Sequence, residues 1–142
     1  MWAGQNRISP EHGMALLTDF GCSVLMANDT YPAEYVLSYS IEYAAPEYLL
    51  ENGELTKATD VFSVGRLLMF LCFGQKAFYK HATVSHLIAQ MRIRERDKSS
   101  LLTIIQKATN PDMDKRYQTA KQMQESVCQL LQTIPIHPIN PD

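Results

Sequence analysis

The sequence predicts a mainly α-helical domain with one small β-hairpin and one long loop at its front. Two observations carry this. From Pro46 onward, apolar residues recur at the helical spacing, with capping residues ahead of them. Before Pro46, residues 21–44 show no sustained helical period and are rich in Ser, Thr, Tyr and Asn. A loop of that length inside a compact domain tends to be functional.

The elements follow in order. Pro10 and Gly13 suit a turn, and Met14 to Thr18 is short and apolar, as a strand closing a small hairpin would be. Pro46 fits the first turn of a helix, where a missing N–H costs nothing, and Asn52-Gly53 ends that helix. Thr59 or Asp60 can cap the next helix, whose apolar stripe is Val61, Val64, Leu68, Leu71 and Cys72, with Gly74 as its stop. Thr83 can cap a third helix through Leu87, Ile88 and Met91, and Ser99 or Ser100 a fourth through Leu101, Leu102, Ile104 and Ile105. Thr119 to Gln122 matches a capping box, followed by the stripe Met123, Val127, Leu130, Leu131 and Ile134. Residues 1–134 read as one domain and 135–142 as a Pro-rich extended tail.

Composition narrows the function. A chain of 142 residues can bury a real core. The net charge is −2 with both signs scattered, so there is no basic stripe and no nucleic-acid partner is expected. The most apolar run, Val61 to Phe73, carries Arg66 and is shorter than a bilayer requires, so no membrane is expected and the run reads as a helix buried on most sides. Cys22, Cys72 and Cys128 stand far apart and are odd in number. They read as reduced, mostly buried thiols of a cytoplasmic protein.

The motifs point further. Asp19-Phe20-Gly21 opens the long loop, and Ala45-Pro46-Glu47 closes it and starts a helix. Asp60-Val61-Phe62-Ser63-Val64-Gly65 opens the longest apolar helix. Asn110-Pro111 is followed by Arg116 and by Thr119-Ala120. Asn6 lies thirteen positions before Asp19, with Gly13 between them. In this order and spacing the chain resembles the C-terminal lobe of a eukaryotic-type serine/threonine protein kinase, with residues 19–47 as the activation segment. The Asn110–Arg116 stretch departs from the family's Asp-Pro-x-x-Arg by two extra residues before the arginine.

The resemblance implies roles. Asp19 would supply a carboxylate and Asn6 an amide oxygen to Mg²⁺ on ATP. Phe20 would pack into the core as a movable plug, and Gly21 would permit the backbone turn after it. Glu47 and Arg116 would form a buried ion pair tying the loop's end to the last helices, a structural role. Asp60 would hold the backbone of the catalytic loop, or serve as a helix N-terminal carboxylate. Ser40, in Tyr39-Ser40-Ile41-Glu42-Tyr43-Ala44-Ala45, stands where the family places a threonine near the catalytic base, and Tyr43 favours the Ser/Thr class over tyrosine kinases. Thr30, Tyr31, Tyr35 and Ser38 are loop hydroxyls open to phosphorylation.

Other family parts are not matched. Counting back from Asn6, the catalytic aspartate falls on Met1 and the assisting lysine on Ala3, and no Gly-x-Gly-x-x-Gly occurs. Catalysis in this family is mostly positioning and charge stabilisation. The expectation is therefore a C-lobe, inactive as an isolated chain, with weak or absent binding of Mg²⁺ and ATP. A protein partner or the missing N-lobe would cover its cleft. The alternative is a non-catalytic, pseudokinase-like binding module acting through protein–protein contacts.

Overall fold

In a computed structural model, the structure describes residues 40–50, 53–79 and 83–134, with positions 17, 20, 23, 31, 32 and 81. The expected hairpin falls on residues outside these, apart from Leu17, and so does the tail 135–142.

The domain is organised around α1 (Lys57–Phe73). Its start lies three residues before the expected cap. Thr56 is the N-cap: its hydroxyl accepts from the Ala58 N–H, while the Thr59 hydroxyl accepts from the Thr56 N–H at 2.9 Å. Two orphan donors of the first turn are thus satisfied reciprocally. Gly74 ends the helix with φ 60°, a backbone that only glycine adopts without strain. A 3-10 turn, Gly74–Phe78, follows.

The expected stripe of α1 holds in part: Val61 is buried and Leu68 and Cys72 pack against the core, but Val64 and Leu71 do not. Ala58, Thr59, Val61, Gly65 and Met69 face inward, whereas Val64, Leu67 and Leu71 are exposed, Leu71 by 72%. Small residues permit the close approach. A Cβ on Gly65 would lie 2.8 Å from Ala108 Cβ and 2.9 Å from Thr109 Cγ2, so α1 and α3 meet there nearly backbone to backbone. The helical stretch Lys57–Phe78 is longer than the sequence suggested, and by length and composition alone it could cross a membrane, with a mean hydropathy of 1.3. It serves here as the central helix, packed on α3 and α4.

Three further helices complete the domain: α2 (Val84–Ala89), α3 (Glu95–Ala108) and α4 (Ala120–Thr133). Thr83 and Thr119 cap α2 and α4 through the His86 and Gln122 N–H groups. The α3 helix starts earlier than expected. Ser99 and Ser100 lie inside it and return their hydroxyls to the Glu95 and Arg96 carbonyls. Its first turn is held instead by buried Asp97, which accepts from Arg94 Nε at 2.7 Å and from the Thr133 hydroxyl at 2.9 Å. That carboxyl lies below its usual range, with the Arg94 hydrogen bond as the main cause.

Leu101, Ile104 and Ile105 of α3 fill the centre between α1 and α4, where Met123 and Leu130 meet them. Each such side chain contributes about 1.5–3 kcal/mol when fully buried. Leu131, expected on the same stripe of α4, is half exposed. The one ladder among the described residues is short: β1 (Tyr31–Pro32) pairs antiparallel with β2 (Glu54–Leu55), Tyr31 opposite Leu55. Cys128 is exposed rather than buried, because it sits on the outer face of α4. Cys72 is partly buried, and burial pushes its thiol up.

Candidate functional site: the anchored end of the loop

The stretch from Ser40 to Leu50 runs onto α1 and is held at two places. Its fold begins at Ser40, half-buried, whose carbonyl accepts from the N–H groups of both Tyr43 and Ala44 at 3.0 Å. Ala45 is fully buried and leads into a 3-10 turn, Pro46–Leu49, with Pro46 at its start. Pro presets the backbone for this position. The turn closes with Gly53 close under it. A Cβ on Gly53 would lie 2.0 Å from the Glu47 carbonyl oxygen, so only glycine fits.

Glu47 enters the first anchor. Arg116 Nη1 and Nη2 donate to its two carboxylate oxygens at 2.7 and 2.8 Å, a two-pronged pair with the Arg116 side chain 0% exposed. The other guanidinium hydrogens are also used: Nε donates to the Asn110 carbonyl at 2.6 Å, Nη1 to the Ala58 carbonyl at 3.2 Å and Nη2 to the Pro111 carbonyl at 3.3 Å. All five donors of the fork therefore have acceptors. The guanidinium lies 4.9 Å over the Phe62 ring. Burial pushes the Glu47 carboxyl up, but hydrogen bonds from Arg116, the local backbone and the Thr59 hydroxyl outweigh it, and the net shift is downward.

The four residues between Pro111 and Arg116, two more than in Asp-Pro-x-x-Arg, include a 3-10 turn, Met113–Lys115. Asp112 caps that turn, and Asn110 Oδ1 accepts from the Asp112 N–H at 2.9 Å. The turn swings Arg116 back beneath the Asn110 and Pro111 carbonyls.

The second anchor was not singled out from sequence. Ser63 Oγ donates to the Tyr43 carbonyl at 3.0 Å, and Arg66 Nε donates to the Glu42 carbonyl at 2.8 Å. Both sit on α1, one turn apart. The readable signal was a serine and an arginine at that spacing within an apolar helix, where a polar side chain needs a partner.

The remaining site residues are placed as follows. Asp60 lies in the first turns of α1 with an exposed face, and the surrounding protein pushes its carboxyl above the usual range by desolvation. It lies near Tyr48, whose phenol is pushed up by burial and by the Asp60 and Glu47 carboxylates. Phe20 is 67% exposed and is not part of the apolar core, contrary to the expected plug, because that core is built by the helices after Pro46. Asp19, Asn6 and Gly21 lie outside the described residues, as do Thr30, Tyr35 and Ser38. Among the described residues no group of three or more His, Cys, Asp or Glu is arranged to hold a metal. The structure thus brings Glu47 and Arg116 together, with Asp60 near Tyr48.

A loop end clamped by a buried Glu–Arg pair to the first turn of a central helix defines the kinase-like class of helical domain. The protein kinase domain family matches residues 4–135, and the chain belongs to that family. Among its relatives, the serine/threonine-protein kinase PrkC of Bacillus subtilis is 30% identical over 123 residues, covering 81% of this chain and 19% of that protein. The probable receptor-like protein kinase At5g20050 of Arabidopsis thaliana is 30% identical over 97 residues, 68% of this chain and 19% of the relative. The inactive serine/threonine-protein kinase ZRK12 of the same plant is 32% identical over 74 residues, 51% of this chain and 19% of the relative. The chain thus spans about a fifth of the length of these relatives.

Proposed function

We propose that these residues form the helical half of a Ser/Thr-type protein kinase domain and do not transfer a phosphoryl group by themselves. The observation that carries this reading is the Glu47–Arg116 pair, which fixes the far end of the loop to the start of α1. In this reading Ser40 lies where a protein substrate's hydroxyl would approach. Asp19 and Asn6 would hold Mg²⁺, since a carboxylate and an amide oxygen suit that hard cation. Mg²⁺, when bound, neutralises charge on the nucleotide phosphates. The half of the nucleotide clamp made by a glycine-rich loop and a phosphate-gripping lysine has no counterpart in these residues. Positioning can supply about 7–11 kcal/mol of barrier reduction, so these residues taken without that half would lack most of the activity.

A second reading is favoured by one observation. Val64, Leu67 and Leu71 stand exposed on α1 at i, i+3 and i+7, an apolar stripe that suits a protein partner. In that reading the chain is a non-catalytic binding module.

The test is a thermal-shift titration of the full chain with ATP and Mg²⁺, beside an Asp19→Ala variant. Little or no shift is expected in either. A clear shift that disappears in the variant would show a working nucleotide site and overturn the reading.

A further inference from the structure

We propose that Ser63 and Arg66 are positioning residues: they form a clasp on α1 that sets the backbone of Ser40–Ala45 independently of the Glu47–Arg116 pair. The proposal rests on the kinase reading only for what that stretch faces, namely a polypeptide substrate. Its geometry stands without that reading.

Two consecutive carbonyls, those of Glu42 and Tyr43, are each caught by a side chain from the same face of α1. Residues three apart on a helix are neighbours, so Ser63 and Arg66 act side by side. The arginine is itself held in place. Its guanidinium lies 4.9 Å over the Phe78 ring, which presents its plane to the cation and leaves the Nε edge free for Glu42. Phe78 in turn stacks on Phe70, centroids 6.0 Å apart, and meets the Tyr43 ring edge-on at 5.3 Å. The side chain of Tyr43 and the two carbonyls are therefore fixed by one cluster spanning α1 and the turn after it.

This cluster meets the chain at Glu42 and Tyr43, while Arg116 meets it at Glu47. Between the two grips lie Ala44, Ala45 and Pro46, of which Ala45 is fully buried. A segment held at both ends and packed in the middle has one backbone path. Ser40 is set by that path, because its carbonyl is bonded by Tyr43 and Ala44. Lysine cannot replace Arg66, since an ammonium has neither the plane that lies on Phe78 nor the side-on donor aimed at Glu42.

Hydrogen exchange of the full chain, without nucleotide, tests the clasp. The probes are the amides of Tyr43 and Ala44, with the Thr109 amide at the end of α3 as control; it donates to Ile105 at 2.9 Å. Ser63→Ala and Arg66→Lys are each expected to speed exchange at Tyr43 and Ala44 about tenfold, with Thr109 unchanged. Phe78→Leu, which removes the ring beneath the guanidinium but keeps an apolar side chain, is expected to do the same to a lesser degree. Unchanged exchange at Tyr43 and Ala44, or acceleration equal to that at Thr109, would overturn the proposal. A positive ATP shift would sink the inactive-chain reading and leave this result untouched.

Discussion

Replacing Glu47 by Gln is the sharpest perturbation the structure offers. The change keeps the shape and removes the charge. Arg116 would then sit wholly buried with no opposing carboxylate. Breaking a buried pair by removing one partner costs about 3–5 kcal/mol. Two features place this case near about 3 kcal/mol. Gln keeps one oxygen that can accept from Arg116, and three backbone carbonyls still accept from the guanidinium. A domain has about 5–15 kcal/mol of stability in total, so the loss is large. Urea unfolding at pH 7 measures it.

The same variant carries a pH signature. The folded Glu47 carboxyl lies below its ordinary value of 4.5. Its stabilising effect is therefore complete above that value and is lost as pH falls through the lower folded value. The gap between wild type and Glu47→Gln is expected to be flat above pH 4.5 and to close in more acidic solution. Pairing Glu47→Gln with Arg116→Met completes a double-mutant cycle. The second change orphans the Asn110, Ala58 and Pro111 carbonyls whichever residue stands at 47, so the coupling reports the pair alone. A loss under about 1 kcal/mol for Glu47→Gln would refute the reasoning. So would strict additivity in the cycle.

Three other outcomes follow from the packing and electrostatics. Gly65→Ala forces a Cβ to 2.8 Å from Ala108 Cβ and should cost about 1–3 kcal/mol, read as a fall in Tm; an unchanged Tm would mean that α1 and α3 slide apart freely. Asp60→Asn should raise Tm at pH 7 but not below pH 3.8, because desolvation penalises the charged form and the penalty vanishes once both states are protonated. A fall at pH 7 would show instead that the helix dipole or a partner holds the carboxylate. Under native conditions a maleimide should label Cys128 ahead of Cys72, whose thiol is partly buried and pushed up; the reverse order would contradict the placement of α4.

What could be read in advance divides by range. Helix ends with a single hydroxyl before an apolar run, Thr83 and Thr119, were legible because the cap is a local event. The start of α1 was not, since two threonines three apart compete for the cap and the apolar run begins only after the second. Ser99-Ser100 misled for a related reason. A serine hydroxyl can cap a helix or return to the carbonyl four residues back, and only the tertiary place of Asp97 decides which. The face of α1 was partly hidden because the helix is apolar almost all round. Its inward side is marked by smallness, Ala58 and Gly65, rather than by hydrophobicity.

The site divides in the same way. Glu47 and Arg116 are 69 positions apart, and no periodicity links them; only the resemblance to the kinase family paired them. Ser63 lies inside the Asp60–Gly65 motif and Arg66 just after it, but the motif did not say what either side chain holds. The Arg66 guanidinium lies over the Phe78 ring and donates to the Glu42 carbonyl of the loop that runs past α1. Motif and physics thus read different anchors of one loop. The motif match supplied the charged grip of Glu47 and Arg116, and the side-chain bonds from Ser63 and Arg66 to loop carbonyls supply the second.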